Sequence, residues 1–181
     1  MDVFKTEGII IKRKDFGETD RILTVFTKHQ GKIQAMAKGV RKISSRRSSH
    51  VELLNLSVLT FHIARMPILT EAETLNHFTG LKDNLKKVGL AFYVCELIDG
   101  LLAEYQENRA VFSLLVQTLN RMEEEKDTRL VISKFEQELL SQLGFWPRER
   151  VFLEDSDYFI ENIIERRIKS KRILKLFSEP L

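Results

Sequence analysis

The hydrophobic period of this chain changes once, near Gly80, and that change decides which architectures it can adopt. Before it, apolar residues alternate: residues 21–27 set Ile22, Thr24 and Phe26 against Leu23, Val25 and Thr27, as a strand in a sheet requires. Similar β-rich runs at 3–13, 32–37, 51–63 and 68–75 predict four more strands. Asp15-Phe16-Gly17-Glu18 turns the chain after the first, His29-Gln30-Gly31 is a short hairpin connection before the third, and Met66-Pro67 breaks it before the last. Five strands with no helix-length segment among them predict a small barrel or a half-open sheet.

Beyond Gly80 the apolar residues recur at three- and four-residue steps. Leu81, Leu85, Val88, Phe92, Cys95, Ile98 and Leu102 predict one amphipathic helix, and Phe112, Leu115, Leu119 and Met122 a second, ended by the charged stretch 123–127. Leu130, Ile132, Phe135, Leu139, Leu140 and Leu143 predict a third, with Gly144 as C-cap and Pro147 shortly after. Residues 160–177 are helical in composition, with an interruption near Ser170. The expectation is an α+β chain: a five-stranded β-domain over 1–79 and an all-α domain over 80–181.

Charge divides at about the same place. Residues 1–50 hold twelve Lys/Arg and five Asp/Glu, a net of +7, whereas 81–160 hold ten and fifteen, a net of −5; 161–181 return to +3. The excess is sharpest at 35–50, "AMAKGVRKISSRRSSH", where Lys38, Arg41, Lys42, Arg46, Arg47 and His50 occur without one carboxylate. Val40 and Ile43 are too few to bury this segment and its serines favour irregular backbone, so an exposed loop is expected. Self-repulsion in such a loop is relieved by a polyanion. The alternative is a flexible, solvated connection with no partner.

Other residue types exclude more than they suggest. One cysteine, Cys95, rules out an internal disulfide and any zinc site built from several thiolates. His29, His50, His62 and His77 are scattered away from ligand spacing, and neither a glycine-rich phosphate loop nor a nucleophile elbow is present. No catalytic residue, metal site or cofactor is therefore predicted. The apolar run at 8–11 is too short for a signal peptide, and no segment has the length of a membrane span, so the expected location is cytoplasmic with no membrane partner.

Ordered pieces of the chain carry a resemblance. Residues 4–42, with Phe16-Gly17-Glu18-Thr19-Asp20-Arg21, Gly31-Lys32 and Ala37-Lys38-Gly39-Val40-Arg41-Lys42, closely resemble the start of the RecO family of bacterial recombination mediators. "LTEAETLNHFTGLKDNL" (69–85), "AFYVCELIDGLL" (91–102), "FEQELLSQLGFWP" (135–147) and "RRIKSKRIL" (166–174) continue it. Many family members carry a four-cysteine zinc module after the LGF-x-P helix. Residues 148–157 here are a charged stretch without cysteine, so a shortened, zinc-free member is expected.

The resemblance implies an N-terminal OB-fold β-barrel and a helical C-terminal domain. It further implies binding of single- and double-stranded DNA, strand annealing, and recombinase loading with RecR and single-stranded-DNA-binding protein. In a bacterium that is a cytoplasmic, nucleoid-associated role in DNA repair and recombination. Lys38, Arg41, Lys42, Arg46 and Arg47 are then the expected DNA-binding residues, with Lys12 and Arg13 as a second patch beside Lys14. Edge residues that discourage strand pairing are the other reading of that patch. Arg166, Arg167, Lys169, Lys171 and Arg172 form a possible secondary basic surface, or simply the polar side of an amphipathic helix.

Asp20 and Arg21 are read as a turn-stabilising pair, Phe26 and Phe61 as core, and Phe16 as the aromatic residue best placed to stack on a base. Capture of the acidic, hydrophobic-ended tail of single-stranded-DNA-binding protein implies an apolar pocket rimmed by cations. Lys82, Lys86 and Lys87, or the 166–175 group, are the expected rim. The alternative function is a protein-interaction adaptor with no significant DNA affinity of its own.

Overall fold

The computed structural model of the chain describes residues 2–147 and 156–170. Its first five regular elements are the strands β1 (Val3–Phe16), β2 (Asp20–Thr27), β3 (Gly31–Ala37), β4 (Leu56–His62) and β5 (Ile68–Asn76). They close into a barrel in the order β1-β2-β3-β5-β4, antiparallel throughout except between β3 and β5. Of the two architectures that the periodicity leaves open, the closed one forms, and it is the five-stranded OB arrangement.

Strand β1 serves two neighbours. Residues 3–9 pair with β4, residues 8–16 pair with β2, and a register shift between Ile10 and Lys12 bends the strand from one to the other. Gly8 sits where the two pairings overlap, opposite both Thr27 and Ser57. A Cβ there would lie 2.7 Å from Val25 Cγ1, so closure needs a residue without one. The interior is filled by Ile10, Leu23, Val25, Ile33, Leu59 and Phe61, none of them more than 1 % exposed. Phe26 is equally buried, and Phe4 stacks on Phe61 with ring centroids 5.1 Å apart.

The strand expected over 51–63 begins only at Leu56. Ser48–Val51 is a single 3-10 turn and Leu54 adopts φ +70°, while its N–H donates to Ile10 O at 2.9 Å. Val51 and Leu54 are buried within the barrel unit. Their apolarity reflects a loop packed into the core rather than a strand face, which is why a run of apolar residues misleads here.

The helices are α1 (Thr79–Lys82), α2 (Leu85–Leu101), α3 (Arg109–Glu124), α4 (Thr128–Gln142) and α5 (Ser156–Ile164). Helix α2 is buried on several sides, through Gly89, Ala91, Tyr93, Val94, Leu97 and Ile98. Helices α3 and α4 bury one stripe each, including Leu115 and Leu119 on the first and Phe135 and Leu139 on the second. Leu85 and Leu130, expected in such stripes, lie instead in the first turns of α2 and α4 and are exposed. Gly144 takes φ +79° and donates to Ser141 O, while Phe145 N–H reaches Leu140 O at 2.8 Å, the paired bonds that end a helix on a glycine. The interruption expected near Ser170 comes earlier: α5 stops at Ile164, and Glu165 takes φ +53°. Residues 171–177 lie outside the described residues.

Two compact units result, Met1–His77 with Leu102–Arg109, and Phe78–Leu101 with Ala110–Leu181. The connection between α2 and α3 thus belongs to the barrel unit. Strand β3 pairs with β5 only at Met36 and Ile68, and the returning segment meets β3 elsewhere. Tyr105 N–H donates to Lys32 O at 2.9 Å, and Gln34 Nε2 donates to Glu104 Oε1 at 2.8 Å. Gly31, at φ +67°, admits it: a Cβ would fall 2.0 Å from Gln106 O. Among the described residues no helix is long and apolar enough to cross a membrane.

Candidate nucleic-acid interface

The basic segment leaves β3 at Ala37 and is held at both ends by the core, through Val40 and Val51, each fully buried. Val40 does more than its isolation in the sequence suggests. Between these anchors the backbone bonds to itself and to the β1–β2 turn: Arg41 N–H to Thr19 O at 2.9 Å, Lys42 N–H to Gly39 O at 3.2 Å, and Ser45 N–H to Lys42 O at 2.9 Å. Asp20 adds a latch. Its Oδ1 accepts the Gly39 N–H at 2.7 Å and the Thr19 hydroxyl at 3.0 Å. The Gly39 bond, then the Thr19 bond, then Lys38 and Lys42 hold the Asp20 carboxyl below its ordinary value. The segment is irregular, as expected, but it is built.

Its cations fall into two groups. Arg47 donates from Nη1 to Leu69 O at 2.6 Å and from Nη2 to Lys38 O at 2.8 Å, tying the loop to β5 and to its own start. Arg41 donates to Gly17 O at 3.1 Å and lies 3.4 Å from Asp15 Oδ2. Lys38, Lys42 and Arg46 are exposed and form no ion pair among the described residues. The first group shapes the loop, and the second is presented by it.

The β1–β2 end is a compact charge cluster. Arg13 and Arg21 both reach Glu52, Arg21 Nη1 at 3.4 Å from Oε1, and Arg21 Nε donates to Asp15 Oδ1 at 2.9 Å. The Arg21 bond is the largest cause holding the Asp15 carboxyl below its ordinary value, with the charges of Arg41, Arg21 and Arg13 adding to it. Asp20 and Arg21 therefore do not pair with each other, as their adjacency suggests. Neighbours on a strand point to opposite faces, so each finds its own partner. Lys12 is exposed, whereas Arg13 is half-buried in its pair. Phe16 stands 51 % exposed at this turn, and Ile43 on the loop is fully exposed at 108 %.

In the helical unit Arg166 and the backbone at 169–170 of the expected basic surface are engaged in structure. Arg166 Nη2 lies 3.7 Å from Asp99 Oδ2, and Glu96 accepts the backbone N–H groups of Lys169 and Ser170, each at 2.8 Å. Arg167 and Lys169 side chains are exposed; Lys171 and Arg172 lie outside the described residues. Lys86 and Lys87 line a recess with Lys126, Asp127 and Arg129 that has no apolar wall, and Lys87 Nζ caps Glu123 O at 2.9 Å. A groove of about 370 Å³ also lies between α3 and α4, where Leu114, Val131 and Phe135 are set among Gln117, Thr118, Arg121, Lys134, Gln137 and Glu138. Arg121 and Lys134 stand thirteen residues apart in the sequence, so no cluster signals them.

Cys95 is buried, and that burial, followed by the nearby Asp99 charge, pushes its thiol up to about 12, where it stays protonated at neutral pH. Among the described residues no group of three or more His, Cys, Asp or Glu side chains is arranged to hold a metal ion.

Residues 1–78 match the family model described as "Recombination protein O N terminal", and residues 82–150 match "Recombination protein O C terminal". Curated relatives named DNA repair protein RecO include one from Roseiflexus sp. (strain RS-1), 37 % identical over 81 % of this chain and 52 % of its own length. Others come from Dehalococcoides mccartyi, at 36 % over 81 % of this chain and 58 % of the relative, and Moorella thermoacetica, at 35 % over 81 % and 55 %. The chain thus spans somewhat over half the length of the curated relatives it matches.

Proposed function

The chain belongs to the RecO family, and on that premise we propose that it is a DNA-binding mediator of recombinational repair. It binds single- and double-stranded DNA through phosphate contacts, promotes annealing of complementary strands, and assists recombinase loading with RecR and single-stranded-DNA-binding protein in the cytoplasm. The observation that carries this reading is the exposed trio Lys38, Lys42 and Arg46, presented without ion pairs among the described residues by an ordered loop on an OB barrel. Cations that neutralise phosphates release counterions and lower the repulsion between two strands, while the bases stay free to pair. Annealing so described needs no acid, base or metal.

The groove between α3 and α4 suits the tail of single-stranded-DNA-binding protein. Its lining sets Leu114, Val131 and Phe135 beside Arg121 and Lys134, which together complement an acidic peptide ending in hydrophobic residues. Of the rim expected at Lys82, Lys86 and Lys87 or at the 166–175 group, Lys86 and Lys87 line a recess whose residues are all polar or charged, whereas the groove sets apolar side chains beside its cations.

Replacing Lys38, Lys42 and Arg46 together by alanine tests the DNA reading. Each lost phosphate contact lowers the slope of log affinity against log salt by about 0.7 to 0.9, so the triple variant loses roughly 2 to 3 from that slope. Its melting temperature is expected to stay with the wild type, since these side chains are exposed. An unchanged slope in a folded triple variant overturns the assignment.

A further inference from the structure

Ile43 is the most exposed large apolar residue described in the chain. A single surface isoleucine is unremarkable on a mixed surface. This one stands next to Lys42 and three residues before Arg46, on a loop whose backbone is fixed on either side of it. Lys42 N–H bonds to Gly39 O, Ser45 N–H bonds to Lys42 O, and the Ser48 hydroxyl donates to Ser45 O at 3.1 Å. Val40, only three residues away, is fully buried, so the loop packs one apolar side chain inward and holds the other out.

Resting on the DNA-binding reading above, we propose that Ile43 is the base-contacting residue of this loop, packing its aliphatic side chain against unstacked bases of single-stranded DNA. The flanking cations bring the strand's phosphates to the loop, and the chemistry left for Ile43 is the apolar face of a base. Phe16 lies on the adjoining β1–β2 turn, to which Arg41 is bonded through Gly17 O, and supplies a second apolar face on that side.

The choice of an aliphatic residue has a functional sense. An aromatic platform stacks on a base strongly, by about 1 to 3 kcal/mol. An isoleucine presses on it without offering a π-face, so the base is held out of its stack and let go readily when a complementary strand arrives. Such a contact adds to affinity without adding to counterion release, because no phosphate is neutralised by it.

The experiment compares wild type, Ile43→Ala and Ile43→Trp for binding to an oligo-dT strand and to a mixed-sequence duplex across a range of salt, and for annealing rate. Ile43→Ala is expected to lose about fivefold in single-strand affinity at every salt concentration, with the slope unchanged and duplex binding unaffected. Ile43→Trp is expected to bind the single strand more tightly, to have its fluorescence quenched by it, and to anneal more slowly. Both variants should melt with the wild type, because Ile43 makes no buried contact. The proposal is overturned if Ile43→Ala binds the single strand as the wild type does, or loses single-strand and duplex affinity equally. A wild type with no DNA affinity at all, or a triple lysine-arginine variant with an unaltered salt slope, would instead overturn the functional reading on which it rests.

Discussion

The loop over 38–50 and the groove between α3 and α4 both present cations to solvent, and they do so in opposite ways. On the loop the exposed cations follow one another in the chain, the nearby carboxylates are engaged elsewhere, Asp20 with the Gly39 N–H and Asp15 with the Arg21 side chain, and the one exposed apolar side chain projects from the same loop. In the groove two cations, Arg121 and Lys134, stand beside Leu114, Val131 and Phe135, with Glu138, Gln117, Thr118 and Gln137 among them. A row of charges suits a polyanion of indefinite length. A pair of charges beside a few apolar side chains suits a short peptide with a charged body and an apolar end.

The sharpest way to break that comparison is to exchange the signs. With Arg121→Glu and Lys134→Glu, a labelled acidic tail peptide should bind at least about tenfold more weakly, since each close charge reversal costs on the order of 1 kcal/mol or more. DNA affinity and its salt slope should be untouched. Loss of both ligands in this double variant would mean that the two surfaces are not separate, and equal peptide affinity would remove the groove from the interaction.

A smaller effect separates two adjacent residues of the loop. Arg47→Ala leaves the carbonyls of Leu69 and Lys38 without their guanidinium donor, which should cost about 2 kcal/mol and lower the melting temperature by roughly 5 °C. Arg46→Ala should leave the melting temperature where it is and reduce the salt slope by about 0.8. Equal thermal effects from the two would show that loop order does not depend on the Arg47 bonds.

The smallest effect is acidic. Asp20 is held below its ordinary carboxylate value of 3.8, so the folded state favours its charged form. Its contribution is therefore complete above that value and is lost as pH falls through and below it. Exchange of the Gly39 amide, followed by nuclear magnetic resonance, should accelerate over this acid range relative to amides in the middle of β2. In Asp20→Ala the Gly39 amide should exchange fast already at neutral pH. Unchanged protection in that variant would show that the latch is redundant.

Legibility from sequence followed the distance between cause and effect. Period-2 alternation and turn residues locate β1, β2, β3 and β5, because a strand's face pattern is local; the C-cap at Gly144 is equally local. The stretch 51–55 is misread as strand because its apolar residues answer to the barrel interior, which no local window contains. Arg47 illustrates the same limit within the candidate site. Nothing beside it in sequence distinguishes it from Arg46, and only the arrival of Leu69 from β5 makes it a structural donor. Arg21 escapes notice for the reverse reason, since its neighbour Asp20 offers an obvious partner that the pleat of the strand turns away from it.

The segment that returns to β3 between α2 and α3 bears on the order in which this chain can be made. A ribosome releases the five strands first, yet β3 still has part of its edge open when β5 appears, because the two strands pair at one position only. Glu104, Tyr105 and Gln106, which meet that edge, emerge after the whole of α2. The nascent barrel therefore waits, with backbone donors and acceptors facing water or a chaperone, for a stretch that begins 28 codons beyond Asn76, at Glu104. Truncating the coding sequence between Asn76 and Glu104 should yield a product prone to edge-to-edge association, even though every strand of the barrel is already present.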